Sequence, residues 1–225
     1  MLVGLIADVH SNAVALKAVL SALDDMGVEK ILHAGDVIGY NPYPNETIEL
    51  FKKKNIISIL GNHDRALITG DTSGFNPYAA IALIWTADVI YSDNFCYIQS
   101  LRNVEFVSPG GSRISIVHGS PTDFDEYIYP ENANPELLSN LDCDVLVLGH
   151  THVQFKKEYP SGMVINPGSV GQPRDENPDA AFAILDTDSG KAHLHRTSYD
   201  IEKVIGDIIS TPLPQVLGLR LRLGL

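Results

Sequence analysis

The first sixty residues alternate between strand and helix periods, and that alternation constrains the fold more than any other feature. LVGLIA, residues 2–7, is a continuous apolar run of the kind found in strands covered on both faces. NAVALKAVLSALDDMG follows, with Val14, Leu16, Val19, Leu20 and Leu23 at helical spacing, Asn12 placed as N-cap and Gly27 as a stop. KILHAG reads as a second strand, PNETIELFKKKN as a second helix and IISIL as a third strand. Successive strands joined by helices run parallel, so this end of the chain predicts a β-α-β-α-β unit with a parallel sheet.

Residues 77 to 101 read as helical, and then the period changes again. VEFVS, SRISIVHG, DVLVLGH, VQFKKEYP, GMVINPG, AAFAILD and KAHLHRTSY predict short strands, with NPELLSNL the one clear helix among them. DIEKVIGDIIS is an amphipathic helix and LPQVLGLRLRL a further one. No repeat, low-complexity tract or linker divides the 225 residues. The expectation is one domain over 1–225, with two packed sheets and helices on the outside.

Composition narrows the function. The formal charge of −12 argues against bulk binding of nucleic acid, which Lys and Arg drive. It leaves room for a small anionic substrate held by something locally positive. No segment reaches roughly 18 uninterrupted apolar residues, so no membrane span is expected. MLVGLIADVHSN lacks the basic start of a secretory signal, and a cytoplasmic location is expected. Cys96 and Cys143, each in an apolar segment and in no Cys-x-x-Cys pair, read as small buried hydrophobes. A homo-oligomer remains open.

Polar residues gather where the apolar strands run out. IADVHSN ends the first strand with Asp8 and His10, HAGDVIGY the second with Asp36, and LGNHDRA the third with Asn62 and His63. IVHGS adds His118, and LGHTH adds His150 and His152. Side chains two apart on a strand share a face, so Asp8 with His10, and His150 with His152, form two pincers. Ligands of open α/β sheets collect at the carboxyl ends of strands. Each segment alone has an ordinary explanation: a turn for Asp-x-His or Gly-Asn, a helix cap for Asp36. Five in order do not. Imidazole, carboxylate and amide without thiolate suit a divalent ion such as Mn, Fe, Zn, Co or Ni. His193 and His195 in KAHLHRTSY also form His-x-His, but inside an alternating strand, and read as solvent-facing or interface residues. His33 sits mid-strand and reads as a core or supporting histidine.

The ordered set DVH, GD, GNHD, H and GHTH resembles the signature of the calcineurin-like metallophosphoesterase superfamily. GDVIGYNPYPNE, VHGSP and NPGSVGQPRD extend the resemblance toward small members related to the YfcE-type phosphodiesterases. The resemblance implies an α/β fold, a four-layer α/β/β/α sandwich of two packed mixed sheets, carrying two divalent metal ions. It implies Asp8, His10, Asp36 and His152 around one ion, and Asp36, Asn62, His118 and His150 around the other, with Asp36 bridging. His63 would be no ligand but would assist the leaving group, and Arg65 would stand near enough to touch a phosphate oxygen. Two divalent ions, less the charges of Asp8, Asp36 and one bridging hydroxide, leave the site at about +1. The implied activity is hydrolysis of a small phosphodiester by that hydroxide. The alternatives are a phosphomonoesterase or dinucleoside polyphosphate hydrolase on the same site, and a non-catalytic scaffold of the same fold.

Substrate choice is less legible. Phe75, Tyr78 and Trp85 could wall a base pocket but read better as core. PTDFDEYIYPEN could rim the site, and Arg174 in GSVGQPRD could reach it, although a turn explains that segment equally well.

Overall fold

In the computed structural model, which describes residues 1–139 and 141–225, the chain forms two five-stranded mixed sheets. The leading unit comprises β1 (Leu2–Ile6), α1 (Ala13–Asp25), β2 (Lys30–His33), α2 (Pro44–Lys54) and β3 (Ile57–Ser58). β1, β2 and β3 pair in parallel, as the alternating periods require. Asn12 caps α1, its side chain accepting the Ala15 N–H at 3.0 Å. β3 is shorter than IISIL predicts because its backbone soon leaves β2: the Leu60 N–H donates to the Arg102 carbonyl at 2.8 Å.

α3 (Asn62–Thr69), α4 (Pro77–Val89) and α5 (Ser92–Ser100) follow. The second sheet holds β4 (Val104–Val107), β5 (Ile114–Val117), β6 (Val145–Val147), β7 (Phe155–Tyr159) and β8 (Gly162–Asn166), in the order β4-β5-β6-β8-β7. Its three central strands are parallel and its two edges antiparallel. β9 (Ala180–Asp186) returns to pair antiparallel with β1, and β10 (Lys191–Thr197) closes that edge of the first sheet. α6 (Ile201–Ile209) and α7 (Val216–Leu219) end the fold.

The sheets pack face to face through Val3, Leu5 and Leu32 on one side and Ile114, Ile116, Val145 and Ile165 on the other. Each such side chain contributes about 1.5–3 kcal/mol on burial. The outer face of the first sheet packs Ile6 against Leu16, Val19 and Leu23 of α1 and Phe51 of α2. Over the second sheet the covering layer is slighter. Ile128, Ala133 and Leu138 come from a loop whose NPELLSNL segment makes only a 3-10 turn, Pro135–Leu138; Asn140 of that segment lies outside the described residues.

Several local expectations change. LPQVLGLRLRL forms the single turn of α7 and a 3-10 turn, Arg220–Leu223, rather than one helix. Cys143 is buried, but Cys96 is exposed, because α5 buries Asn94 and Ile98 on its opposite face. Tyr78 is 50% exposed and so is not core. Trp85 is partly buried against the cluster of Tyr40, Ala82 and Leu217. Among the described residues, no helix is long and apolar enough to cross a membrane.

His33 is a core residue, as its position predicts. It is fully buried, with Nδ1 2.8 Å from the Ser58 hydroxyl and its ring edge-on to Phe51. Burial lowers it to about 3. The unfolded chain therefore takes up this proton first, so the stability His33 confers is full above about pH 6.5 and is lost as pH falls toward 3. Between pH 7 and 5 the loss is about 2 kcal/mol. Urea unfolding of His33→Gln should lack this increment of acid sensitivity, and identical pH dependence in both proteins would refute it.

Candidate metal centre

The strand ends converge on one pocket, but not by the pleat of the strands. Asp8 and His10 lie beyond β1, and His150 and His152 beyond β6, in left-handed backbone with φ of 52°, 47°, 69° and 60°. Asp36, beyond β2, has φ 62°. The pincers expected from strand alternation are tight turns instead. Such conformations cost of order 1–3 kcal/mol each for residues other than glycine and persist only where the surroundings enforce them. Here the loops brace one another. Asp8 N–H donates to the Gly35 carbonyl and His10 N–H to the Asp36 carbonyl, both at 3.0 Å.

Asp64 is the brace that the sequence reading missed. Its buried carboxylate accepts the N–H groups of Asp36, Val37, Ile38 and Gly61 at 3.0–3.1 Å, locking the GDVIG turn onto the start of α3. Burial and the Asp36 charge push its carboxyl up to about 7, with three of those N–H groups pulling the other way. Its place three residues after the Gly61 cap was the available signal. Gly61 is there for closeness: a Cβ would sit 2.1 Å from Asp36 Oδ1 and 2.3 Å from Asp36 N.

Asp8, His10, Asp36, Asn62, His63, His118 and His152 all meet in this pocket. His10 Nε2 lies 3.0 Å from His152 Nε2 and 3.5 Å from Asp36 Oδ2. His152 Nε2 lies 3.6 Å from Asp8 Oδ1. On the other side of Asp36, His118 Nε2 is 3.5 Å from Oδ2 and 3.0 Å from Asn62 Oδ1. Among the described residues three groups could each gather around an ion: Asp8–His10–His152, Asp8–Asp36–His118 and His10–Asp36–His63. The last includes His63, which the resemblance excludes as a ligand. His150 stands beside them, its ring centroid 4.8 Å from that of His118 and its N–H donating to the Asp8 carboxylate at 3.1 Å.

The tautomers are set from behind. His10, His118 and His152 direct Nδ1 at the carbonyls of Ile38 (3.1 Å), Ala34 (2.8 Å) and Gln172 (2.5 Å). A neutral imidazole that donates from Nδ1 carries its lone pair on Nε2, toward the pocket. His150 is reversed, with Nε2 3.1 Å from the Asp125 carbonyl, which leaves its lone pair on Nδ1.

The electrostatics call for a cation. Burial opposes ionisation of Asp36, yet His118, His63 and His10 together hold its carboxyl well below the usual range. Burial likewise works against charge on His118, but Asp36 and Asp8 raise it to about 9. Burial pushes Asp8 up to about 8, with the Asp36 charge adding to the effect. A proton on His118 thus supplies positive charge beside the two buried carboxylates. Burial lowers His10 and His152 far below the ordinary imidazole range, and lowers His63 and His150 to about 4.

His63 forms part of the pocket wall, its ring against His10, Tyr40 and Phe75 and its buried Nδ1 without a hydrogen-bond partner among the described residues. Phe75 therefore lines the site while also packing against the core. Tyr127 lines the pocket too, its ring 4.0 Å from that of His150, so the acidic aromatic loop does rim the site. Arg65 is committed elsewhere, paired with both Asp125 oxygens and stacked on Phe124. Arg174 does reach the pocket, and so does Arg220, which no sequence signal marked. His193 and His195 lie on β10, the edge strand, outside the three groups, with His193 exposed and His195 stacked on Phe182.

Two mixed sheets delivering carboxylates, imidazoles and an amide to one polar pocket are the frame of a metallophosphoesterase. Residues 1–190 match the calcineurin-like phosphoesterase superfamily domain, and the chain belongs to that superfamily. It is 34% identical to an uncharacterized protein of Methanocaldococcus jannaschii over 99% of this chain and 98% of that one. It is 25% identical to the phosphodiesterase YfcE of Escherichia coli K12 over 81% of this chain and 85% of the relative. The crystal structure of a metallophosphoesterase from Sphaerobacter thermophilus superposes with a TM-score of 0.87 at 34% identity, covering 100% of both chains. The family implies divalent metal ions, and the residues present fit them: buried carboxylates with imidazole lone pairs turned toward them.

Proposed function

We propose that this chain is a phosphodiesterase that binds two divalent ions, one on either side of Asp36. Asp8, His10, Asp36 and His152 hold one, and Asp36, Asn62, His118 and His150 the other, His150 through Nδ1. The observation that carries this reading is the pair of Nε2 atoms of His10 and His152. They lie 3.0 Å apart with both Nδ1 atoms occupied by carbonyls, and two facing lone pairs repel unless a cation lies between them. The donor set suits Mn, Fe, Zn, Co or Ni, with manganese the first to try. Bound ions of this kind neutralise charge on a phosphoryl group and lower the pKa of water.

The chain's own residues do the rest. The four histidine rings are oriented by backbone carbonyls, so no ring rearrangement precedes binding, and of the four His118 alone has a proton to release. His63, 3% exposed and neutral at pH 7, presents one N–H for the departing oxygen of the substrate. No Ser or Cys nucleophile is needed.

Equilibrium dialysis against Mn²⁺ should find about two ions per chain, and chelation should abolish hydrolysis of bis(p-nitrophenyl) phosphate. His150→Ala and His152→Ala should weaken uptake. His193→Ala and His195→Ala should leave it within about twofold, as expected of surface changes. One ion or none at saturation, or loss of metal in the His193 variant, would overturn the scheme. A higher kcat/KM for p-nitrophenyl phosphate than for the diester would make the enzyme a phosphomonoesterase instead.

A further inference from the structure

Two of the seven arginines, Arg174 and Arg220, form no salt bridge among the described residues, and both line the pocket. The other five each pair with a carboxylate: Arg65 with Asp125, Arg102 with Glu105, Arg113 with Asp142 and Asp144, Arg196 with Asp175, and Arg222 with Glu202. Acid is not scarce, with 28 Asp and Glu against 16 Lys and Arg. Two guanidinium groups without an Asp or Glu partner are therefore a property of this pocket rather than of the composition.

Both are held in place. Arg174 Nη2 donates to Gln172 Oε1 at 2.9 Å and to the Tyr40 hydroxyl at 3.2 Å, with the guanidinium 5.7 Å from the Tyr40 ring centroid. Arg220 comes from the 3-10 turn after α7, where Leu217 and Leu221 are buried in one cluster with Tyr40 and the α6 residues Val204 and Ile208. Its Nε donates to the Leu225 carbonyl, and its Nη atoms have no hydrogen-bond partner among the described residues. Burial and the Arg174 charge lower its pKa below the ordinary arginine value. Like charges gathered in a half-buried pocket repel, and an anion between them removes that cost. The forked N–H donors of arginine match phosphate oxygens in particular. The turn that brings in Arg220 lies beyond residue 190, where the family match ends.

We propose that Arg174 and Arg220 form a subsite for a second phosphate of the substrate, carried beyond the one that is cleaved. This rests on the phosphoesterase reading of the same pocket. Favoured substrates are then diesters with a further phosphate group, rather than simple diesters, and Arg220 is the specificity-determining residue.

Two esters with the same scissile bond test it: thymidine 5′-(p-nitrophenyl phosphate) and its 3′-phosphorylated counterpart. The wild-type protein should prefer the second by about tenfold or more in kcat/KM. Arg220→Gln should lower kcat/KM on it by about 10–100-fold, mostly through KM, the size of a lost charged hydrogen bond. That loss should exceed the loss on the simple ester at least tenfold, and Arg220→Lys should recover part of it. Equal losses on the two esters, or none, overturn the subsite. If neither ester is cleaved, the phosphoesterase reading fails, and calorimetric binding of thymidine 3′,5′-bisphosphate decides the subsite separately. Binding weakened tenfold or more in Arg220→Gln supports it; binding equal in both proteins overturns it.

Discussion

Asp36→Asn is expected to strip the pocket of both divalent ions and to take turnover with them. Changing groups that merely support metal ligands costs about 10–100-fold in affinity or activity. Loss of a carboxylate that lies 3.5 Å from both His10 Nε2 and His118 Nε2 should cost more, on the order of 10³-fold in kcat/KM. The fold should survive. Asp36 Oδ1 accepts the His63 N–H at 2.8 Å, and an asparagine oxygen can accept it too. Oδ2 lies 3.5 Å from His10 Nε2, so an amide nitrogen there would meet a lone pair it can donate to. The four N–H bonds to Asp64 are untouched. Mn²⁺ content, kcat/KM and thermal unfolding measured on the same samples check this. Two ions retained at wild-type affinity would show that Asp36 is not the shared ligand.

His63→Ala should separate chemistry from metal binding. Its backbone N–H still reaches Asp36, and the proposed ligand set loses nothing. The deficit should appear in kcat, at about 10²–10⁴-fold for a lost proton donor. It should shrink for good leaving groups such as p-nitrophenolate and be largest for a poor alkoxide. The measurement is kcat across a leaving-group series with metal content determined alongside. Equal loss across the series at full occupancy would refute the proton-donor role. Loss of an ion would instead make His63 the third donor of the His10–Asp36–His63 group.

By itself the sequence determined the frame and most of the chemistry of the site. The β-α-β-α-β unit was legible because hydrophobic period and caps such as Asn12 are local properties of the chain. Asp8, His10, Asp36, Asn62, His63, His118, His150 and His152 stood out because each follows an apolar run that ends abruptly. What only the tertiary structure decided depends on which distant segments meet. The pincers are left-handed turns, since those conformations are enforced by hydrogen bonds across loops some thirty residues apart in the chain for Asp8 and His10 and 142 apart for His150. Asp64 braces three loop residues that precede it by 26–28 positions. Phe75 faces His63 as well as the core, a contact between separate segments, and Cys96 points outward because helical spacing gives the period of a face but not its direction. Arg220 enters the pocket only because Leu217 and Leu221 pack with Tyr40, a contact across about 180 residues that no local pattern encodes.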